Sequence, residues 1–240
     1  MNRREAIYVF FVMIIFMTAF LPLGGDDHLI QEETRSYMGR TYPTMTRETW
    51  IAENKACMLI GQFKTIIRQD LGKKWDVYPD LKAYLESPIE DQAKDKEESI
   101  HDIGWDYTPE YDWTVEETNE TQVIDGRECI KIIARGDADY AEQIIDMCIS
   151  KKPPLDTQRY YRLISTIDGK WKDILAAYPK LKDALVVQSG YTRINPIAPT
   201  MTGETRLIKV ETAEPPPNLY EIPEGMEKVE SMEELYRRQK

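Results

Sequence analysis

The sequence from Glu128 to Ile149 reads ECIKIIARGDADYAEQIIDMCI, and this stretch decides the fold. Its two ends, ECIKII and IIDMCI, are rich in isoleucine, and the loop between them contains glycine and aspartate. Two β-prone runs on either side of such a loop predict an antiparallel hairpin. We therefore expect an antiparallel sheet with this hairpin as one of its units.

Centring the hairpin on its loop predicts a register from sequence alone. Cys129 then lies opposite Cys148 and Lys131 lies opposite Asp146. Because side chains alternate between the two faces of a strand, the remaining positions form an apolar face. On this face, Ile130 is predicted to lie opposite Met147, and Ile132 opposite Ile145. In an oxidising compartment the opposed cysteines predict a structural disulfide, with Cys57 left as a buried free thiol.

The amino-terminal segment has the layout of a signal peptide. Arg3 and Arg4 precede an apolar run from Ala6 to Leu23. The run falls a little short of the ~20 apolar residues that cross a bilayer. An uncleaved anchor stays open as an alternative, because no Ala-x-Ala cleavage pattern follows the run. We expect export to the periplasm or secretion.

Three parts of the 240-residue chain follow from this interpretation. They are a leader over residues 1–25, one domain over residues 26–223 and a carboxy-terminal helix or tail over residues 224–240.

The charge balance disfavours two classes of partner. The chain has 31 Lys+Arg against 42 Asp+Glu and a net charge of −11. An acidic surface repels the phosphates of nucleic acids and anionic lipid headgroups. We expect no nucleic acid partner, and membrane contact only through the amino-terminal segment if it stays uncleaved.

Few residues could support catalysis or hold a metal. The only histidines are His28 and His101, and the three cysteines show no CxxC spacing. The acids and aromatics of residues 105–113 fit either a sugar-binding platform or a loop pinned by its rings. The abundant carboxylates leave a glycosidase pair open, although no pair stands out. We predict no catalytic residue, metal or cofactor, and an enzyme is the third hypothesis.

The rest of the chain divides into three kinds of segment. The polar stretch Asp26–Arg35 is expected to form one or two helical turns, and residues 88–99 an exposed helix or linker. Apolar residues at helical spacing follow Pro154, and they predict helices between the hairpin and residue 184. The remaining expected strands lie within residues 36–86, 113–150, 184–194 and 204–212.

Three stretches together resemble exported bacterial proteins of the outer-membrane lipoprotein carrier (LolA-like) superfamily. The first runs from TIIRQD at Thr65 through Trp75 to KAYLE at Lys82. The second is IDGRECIK, starting at Ile124. The third runs from LIKVE at Leu207 to LYEIPEGM, which ends at Met226.

This resemblance implies an α+β fold, in which a strongly curved antiparallel sheet, a half-barrel, holds helices on its concave side. Members of the superfamily bind lipid acyl chains or a lipoprotein segment, so the resemblance implies a hydrophobic ligand between sheet and helices. The candidate lining residues are Ile130, Ile132, Ile145, Met147, Leu163, Ile167 and Trp171. The alternative is an envelope interaction or scaffold protein with a filled core. A cavity below ~300 Å³ would count against binding of a whole lipid.

Overall fold

The computed structural model describes residues 25–89, 110–139, 141–196 and 198–238. The expected leader up to residue 24, the expected linker beyond Ile89, and His101 lie outside the described residues. Within the described ranges, no helix has both the length and the apolar character to cross a membrane.

Within the described residues, thirteen strands form one sheet. They are β1 (Asp26–Tyr37), β2 (Arg40–Thr41), β3 (Met45–Ile51), β4 (Lys55–Ile60), β5 (Phe63–Arg68), β6 (Lys73–Tyr78), β7 (Ala83–Pro88), β8 (Asp112–Ile124), β9 (Arg127–Ala138), β10 (Ala141–Ser150), β11 (Leu185–Asn195), β12 (Ala198–Ala213) and β13 (Glu227–Val229).

Two meanders flank a central strand. The order is β13-β7-β6-β5-β4-β3-β1-β12-β11-β10-β9-β8, with the short β2 beside β1. Every pairing is antiparallel except that of β13 with β7. Neighbours in sequence pair within each meander, mostly through short turns, whereas residues 151–184 connect β10 to β11. The α+β class and the large antiparallel sheet are confirmed.

β1 corrects the expectation for the first polar stretch. Residues 26–35 belong to a strand, not to helical turns. β1 lies between β3 and β12, so long-range pairing on both sides determines its conformation. Local propensity is a weak guide where tertiary contacts of this kind compete.

Three α-helices complete the described fold: α1 (Thr157–Ile164), α2 (Lys170–Ala177) and α3 (Met232–Arg237). Asp156 caps α1 by accepting a hydrogen bond from the backbone N–H of Arg159 at 3.0 Å. Five of the eight residues of α1 are buried. α1 therefore depends on packing against the sheet, as short helices generally do.

Each face of the sheet carries a core of its own. We call the face beneath α1 and α2 the inner face, and its core combines strand residues such as Ile132 and Met147 with helix residues such as Leu163. The opposite, outer face is covered near β3–β7 by residues 214–226, which we call the strap. Leu219 of the strap packs in a cluster with Trp50, Cys57, Ile66, Trp75 and Val77.

The predicted hairpin exists, but its register is wrong by two positions. Cys148 pairs with Lys131 rather than with Cys129, and Met147 pairs with Ile132. Strand pairing continues to Ala138 and Ala141, so the turn is tighter and lies later than the loop assumed from sequence. A shift of two keeps every side chain on its predicted face, because the strand period is two.

The two cysteines of the hairpin are free in this structure. Cys129 is buried with Ile124 and Val187 on the outer face, and Cys148 packs against this cluster. The shift in register makes the two cysteines diagonal rather than direct neighbours. The Gln122 amide contacts the Cys148 thiol. The disulfide stays a prediction.

Candidate ligand-binding cavity

A cavity of about 230 Å³ lies between the inner face and the helices. Its floor comes from the centre of the sheet, chiefly β1, β3, β4 and β11, and its roof comes from α1, the following turn and the start of α2. The roof residues are Tyr160, Tyr161, Ile164, Ile167, Asp168, Lys170 and Trp171.

One side of the cavity is apolar. Ile164, Ile167 and Trp171 approach from the helices, and Ile145 and Met58 approach from the sheet. Ile164 and Ile145 belong to the buried inner core, while Ile167 and Trp171 are partly buried at its margin. The arrangement offers apolar contact along one wall and access for a ligand at the margin.

The other side of the cavity is polar and charged. Alternation along β1 places Gln31, Glu33 and Arg35 on the inner face, and Arg47 of β3 lies directly across from Gln31. The Nε of Arg35 donates to the Glu33 carboxylate at 2.7 Å, and the Nε of Arg47 donates to the Gln31 side-chain oxygen at 3.2 Å. Glu33 is only 6% exposed, so this ion pair compensates a buried charge.

The charges in the cavity alter the pKa values of their neighbours. The hydrogen bond to Glu33 raises the pKa of Arg35. Burial raises the pKa of Tyr191, which also lines the cavity, and the charge of Arg35 partly offsets that increase. Both groups therefore keep their usual charge state, cationic for Arg35 and neutral for Tyr191, well above neutral pH.

Tyr161 contributes a buried hydroxyl whose proton has no acceptor among the described residues. Its side chain is 1% exposed, and a contact with the backbone N–H of Val186 acts to lower its pKa. Burial raises the pKa of Tyr161 well above its ordinary value, with a further contribution from Tyr160. A buried hydroxyl donor without an acceptor costs about 1–3 kcal/mol. A ligand atom that accepts from it would remove that cost.

The residues predicted from sequence lie in two environments. Ile145, Ile167 and Trp171 line the cavity. Ile132, Met147 and Leu163 are fully buried in the inner core, and Ile130 is partly buried against that core.

Sequence reasoning missed the polar side of the cavity. Gln31, Glu33 and Arg35 lie in the stretch that was interpreted as helical turns, and Arg47 comes from a different strand. Strand alternation could have placed the first three on one face. No sequence pattern could have paired them with Arg47.

His28 and Cys57 have structural rather than catalytic surroundings. His28 lies on the outer face, where its ring stacks on Trp50 with centroids 3.9 Å apart. Cys57 is fully buried beside it, and burial raises the pKa of the Cys57 thiol to about 12. Within the described part of the chain, no group of three or more His, Cys, Asp or Glu could hold a metal ion.

Comparison with known proteins gives structural likenesses only. No family model and no characterised protein sequence matches the chain. Among solved structures, PNGF-II is similar at a TM-score of 0.40 and 10% identity over 90% of this chain, which spans 33% of that protein.

Two further structures are similar over most of both chains. A DUF1329 family protein from Desulfovibrio piger has a TM-score of 0.36 and 10% identity, covering 85% of this chain and 92% of its own. A LolA superfamily protein from Nitrosomonas europaea has a TM-score of 0.31 and 4% identity, covering 82% and 90%. Likenesses of this size carry no functional conclusion, and the function proposed below rests on the cavity.

Proposed function

We propose that this protein is a non-catalytic binding protein that holds a single hydrophobic chain between α1, α2 and the inner face of the sheet. The cavity beneath Ile167 and Trp171 is the observation that carries this proposal. Apolar walls with a few convergent polar groups are typical of small-molecule sites. Export through the leader, to the periplasm or beyond, is part of the proposal.

The size of the cavity restricts the ligand. Its volume of about 230 Å³ lies below the ~300–1,000 Å³ of sites for drug-sized molecules. A whole lipid or a triacylated lipoprotein anchor therefore does not fit inside. One short acyl chain, or the end of a longer chain that continues into solvent, matches the space.

The filled-core alternative has an observation in its favour. Ile132, Met147 and Leu163 were candidate lining residues, and each is fully buried in side-chain packing rather than at the cavity wall. An envelope interaction or scaffold protein would need no more than this core. The two proposals differ in whether the cavity takes up a ligand.

Fluorescence quenching by a bromine-labelled ten-carbon alcohol or acid tests the proposal. Trp171 lines the cavity, whereas Trp50 and Trp75 lie in the outer cluster. A bromine atom in the cavity quenches Trp171 on contact, so we expect saturable partial quenching that Trp171→Phe largely removes. If neither compound gives saturable quenching, the binding function is wrong and the scaffold alternative stands.

A matched pair of variants locates the binding. Ser189 lies on the cavity floor, and its neighbour Gln188 faces the opposite side of the sheet, in the register of Cys148 and Arg206. Ser189→Leu fills the floor and should weaken binding by tenfold or more, whereas Gln188→Leu should leave it unchanged. Equal effects of the two variants would place the ligand elsewhere.

A further inference from the structure

Among the described residues that line the cavity, three carry a positive charge and two a negative charge. Arg35 pairs with Glu33, with 2.7 Å between Nε and Oε1. Lys170 pairs with Asp168, with 2.6 Å between Nζ and Oδ2. Arg47 is the remaining cation of the lining, in a chain whose overall charge is −11.

Among the described residues, Arg47 shares its nearest carboxylate, Glu33, with Arg35. Its Nε donates to the neutral amide oxygen of Gln31, and its terminal nitrogen lies 3.9 Å from Glu33, beyond hydrogen-bond length. Its side chain is 27% exposed, so water solvates the guanidinium only in part. A partly desolvated cation next to a cavity favours an anionic ligand.

Apolar contact lies within reach of that charge. Tyr160 lines the same cavity, and the charge of Arg47 acts on its phenol to lower a pKa that burial raises. Ile167 and Trp171 form the apolar wall. A molecule that fills this space therefore needs a small anionic end and a hydrocarbon remainder.

On the basis of the proposed function, we propose that the ligand is a monocarboxylate with a short or medium hydrocarbon chain, whose carboxylate pairs with Arg47. The planar guanidinium offers two parallel N–H donors, which match the two oxygens of a carboxylate. The chain lies against Ile167 and Trp171. Glu33 and Gln31 orient the guanidinium from the sheet side.

The experiment compares decanoate with decanol by titration calorimetry at neutral pH. We expect the wild-type protein to bind decanoate at least about tenfold more tightly than decanol, equivalent to about 1.4 kcal/mol. Arg47→Gln should remove this preference by weakening the acid about tenfold, while affinity for the alcohol changes by less than about twofold. Unchanged binding of the alcohol also reports that the variant folds.

Two controls sharpen the assignment. Arg206→Gln removes an arginine from the outer face, where it pairs with Asp125 at 2.6 Å, and should leave the preference for the acid intact. Arg47→Lys keeps the charge without the planar donors and should retain only part of the preference. It also serves as the test if Arg47→Gln does not fold.

The outcomes separate this inference from the proposed function. If neither decanoate nor decanol binds, the binding function itself fails. If both bind with equal affinity and Ser189→Leu weakens both, the function stands and the carboxylate inference is overturned. A clear preference for decyl phosphate over decanoate would also overturn it, because the anion would then be a different class.

Discussion

The inner and outer faces of the sheet are covered by different kinds of chain. On the inner face, α1 and α2 contact the strands through long side chains such as Tyr161 and Leu163. On the outer face, the extended strap places Leu219 directly among strand side chains. A helix holds its axis well away from a sheet, so its side chains must fill the gap. The cavity lies where they do not fill it.

Both covers combine burial with polar contacts. In α1, Thr157 donates to the Lys182 carbonyl at 2.6 Å, Arg162 donates to the Glu53 carbonyl at 2.8 Å, and Arg159 pairs with Asp27. The strap is held by polar contacts at its middle. Tyr220 donates to Asp26 at 2.6 Å, and Arg68 pairs with Glu221 at 3.0 Å. We therefore expect buried apolar substitutions to lower stability more than polar ones under both covers, with the largest loss under the helices.

The largest effect should come from the helix side. Leu163 is fully buried, so Leu163→Ala should lower the free energy of unfolding by about 2–5 kcal/mol through lost burial and a residual void. Urea denaturation measures the change. Lys172→Ala on the exposed side of α2 is the control. A loss below 1 kcal/mol for Leu163→Ala would show that α1 contributes little to the folded state.

The predicted disulfide lies on the outer face, away from the strap. Cys129 and Cys148 pack in one cluster, and oxidative folding should join them and stabilise the protein by about 3 kcal/mol. Thiol titration of unreduced, denatured protein should then find one thiol. Three thiols would show that the observed register prevents the bridge. Cys148→Ser provides the unbridged reference for unfolding.

Leu219→Ala should loosen the strap with a smaller loss of stability, about 2 kcal/mol. Because the pKa of Cys57 is raised to about 12 by burial, alkylation at pH 8 requires local opening. We expect Leu219→Ala to accelerate alkylation of Cys57, while the exposed strap substitution Glu224→Ala does not. An unchanged rate would mean that the strap does not protect this thiol.

Removing the hydroxyl of Tyr220 should cost about 1 kcal/mol at neutral pH. Burial, followed by the hydrogen bond to Asp26, raises the pKa of Tyr220. Its contribution is therefore complete below the ordinary tyrosine pKa of about 10 and is lost as pH rises towards the folded value. The difference between wild type and Tyr220→Phe in urea denaturation should shrink above pH 10. A constant difference would contradict this assignment.

The smallest effect should come from Glu86, beneath the edge of the outer cluster. A hydrogen bond from Trp75 at 2.8 Å, followed by Lys73, lowers the pKa of Glu86. Its contribution, below about 1 kcal/mol, is present above the ordinary pKa of about 4.3 and is lost as pH falls through the folded value. Glu86→Gln should therefore match wild type near pH 3 and be slightly less stable at pH 6. Equal stability of the two proteins at both pH values would show that ionised Glu86 does not stabilise the fold.

Local patterns predicted the elements better than their pairings. Alternation in the hairpin correctly placed Ile132 and Met147 on the face that became the inner core. The predicted register was wrong because composition alone does not distinguish the tight turn between Ala138 and Ala141 from a wider loop. The helical prediction for the β1 segment was wrong because its main strand partner, β12, is remote in sequence.

Local sequence patterns predicted which hairpin side chains share a face and the helices that follow Pro154, and the composition gave the acidic charge. Period-two and period-3.6 patterns are local, so they can be read along the chain. The central position of β1, the burial of Cys57 by the strap, and the presence of Arg47, Glu33 and Trp171 in one cavity follow from the three-dimensional fold. Those juxtapositions depend on pairing between distant segments, and the free energy of that pairing resides in contacts that no single stretch of sequence contains.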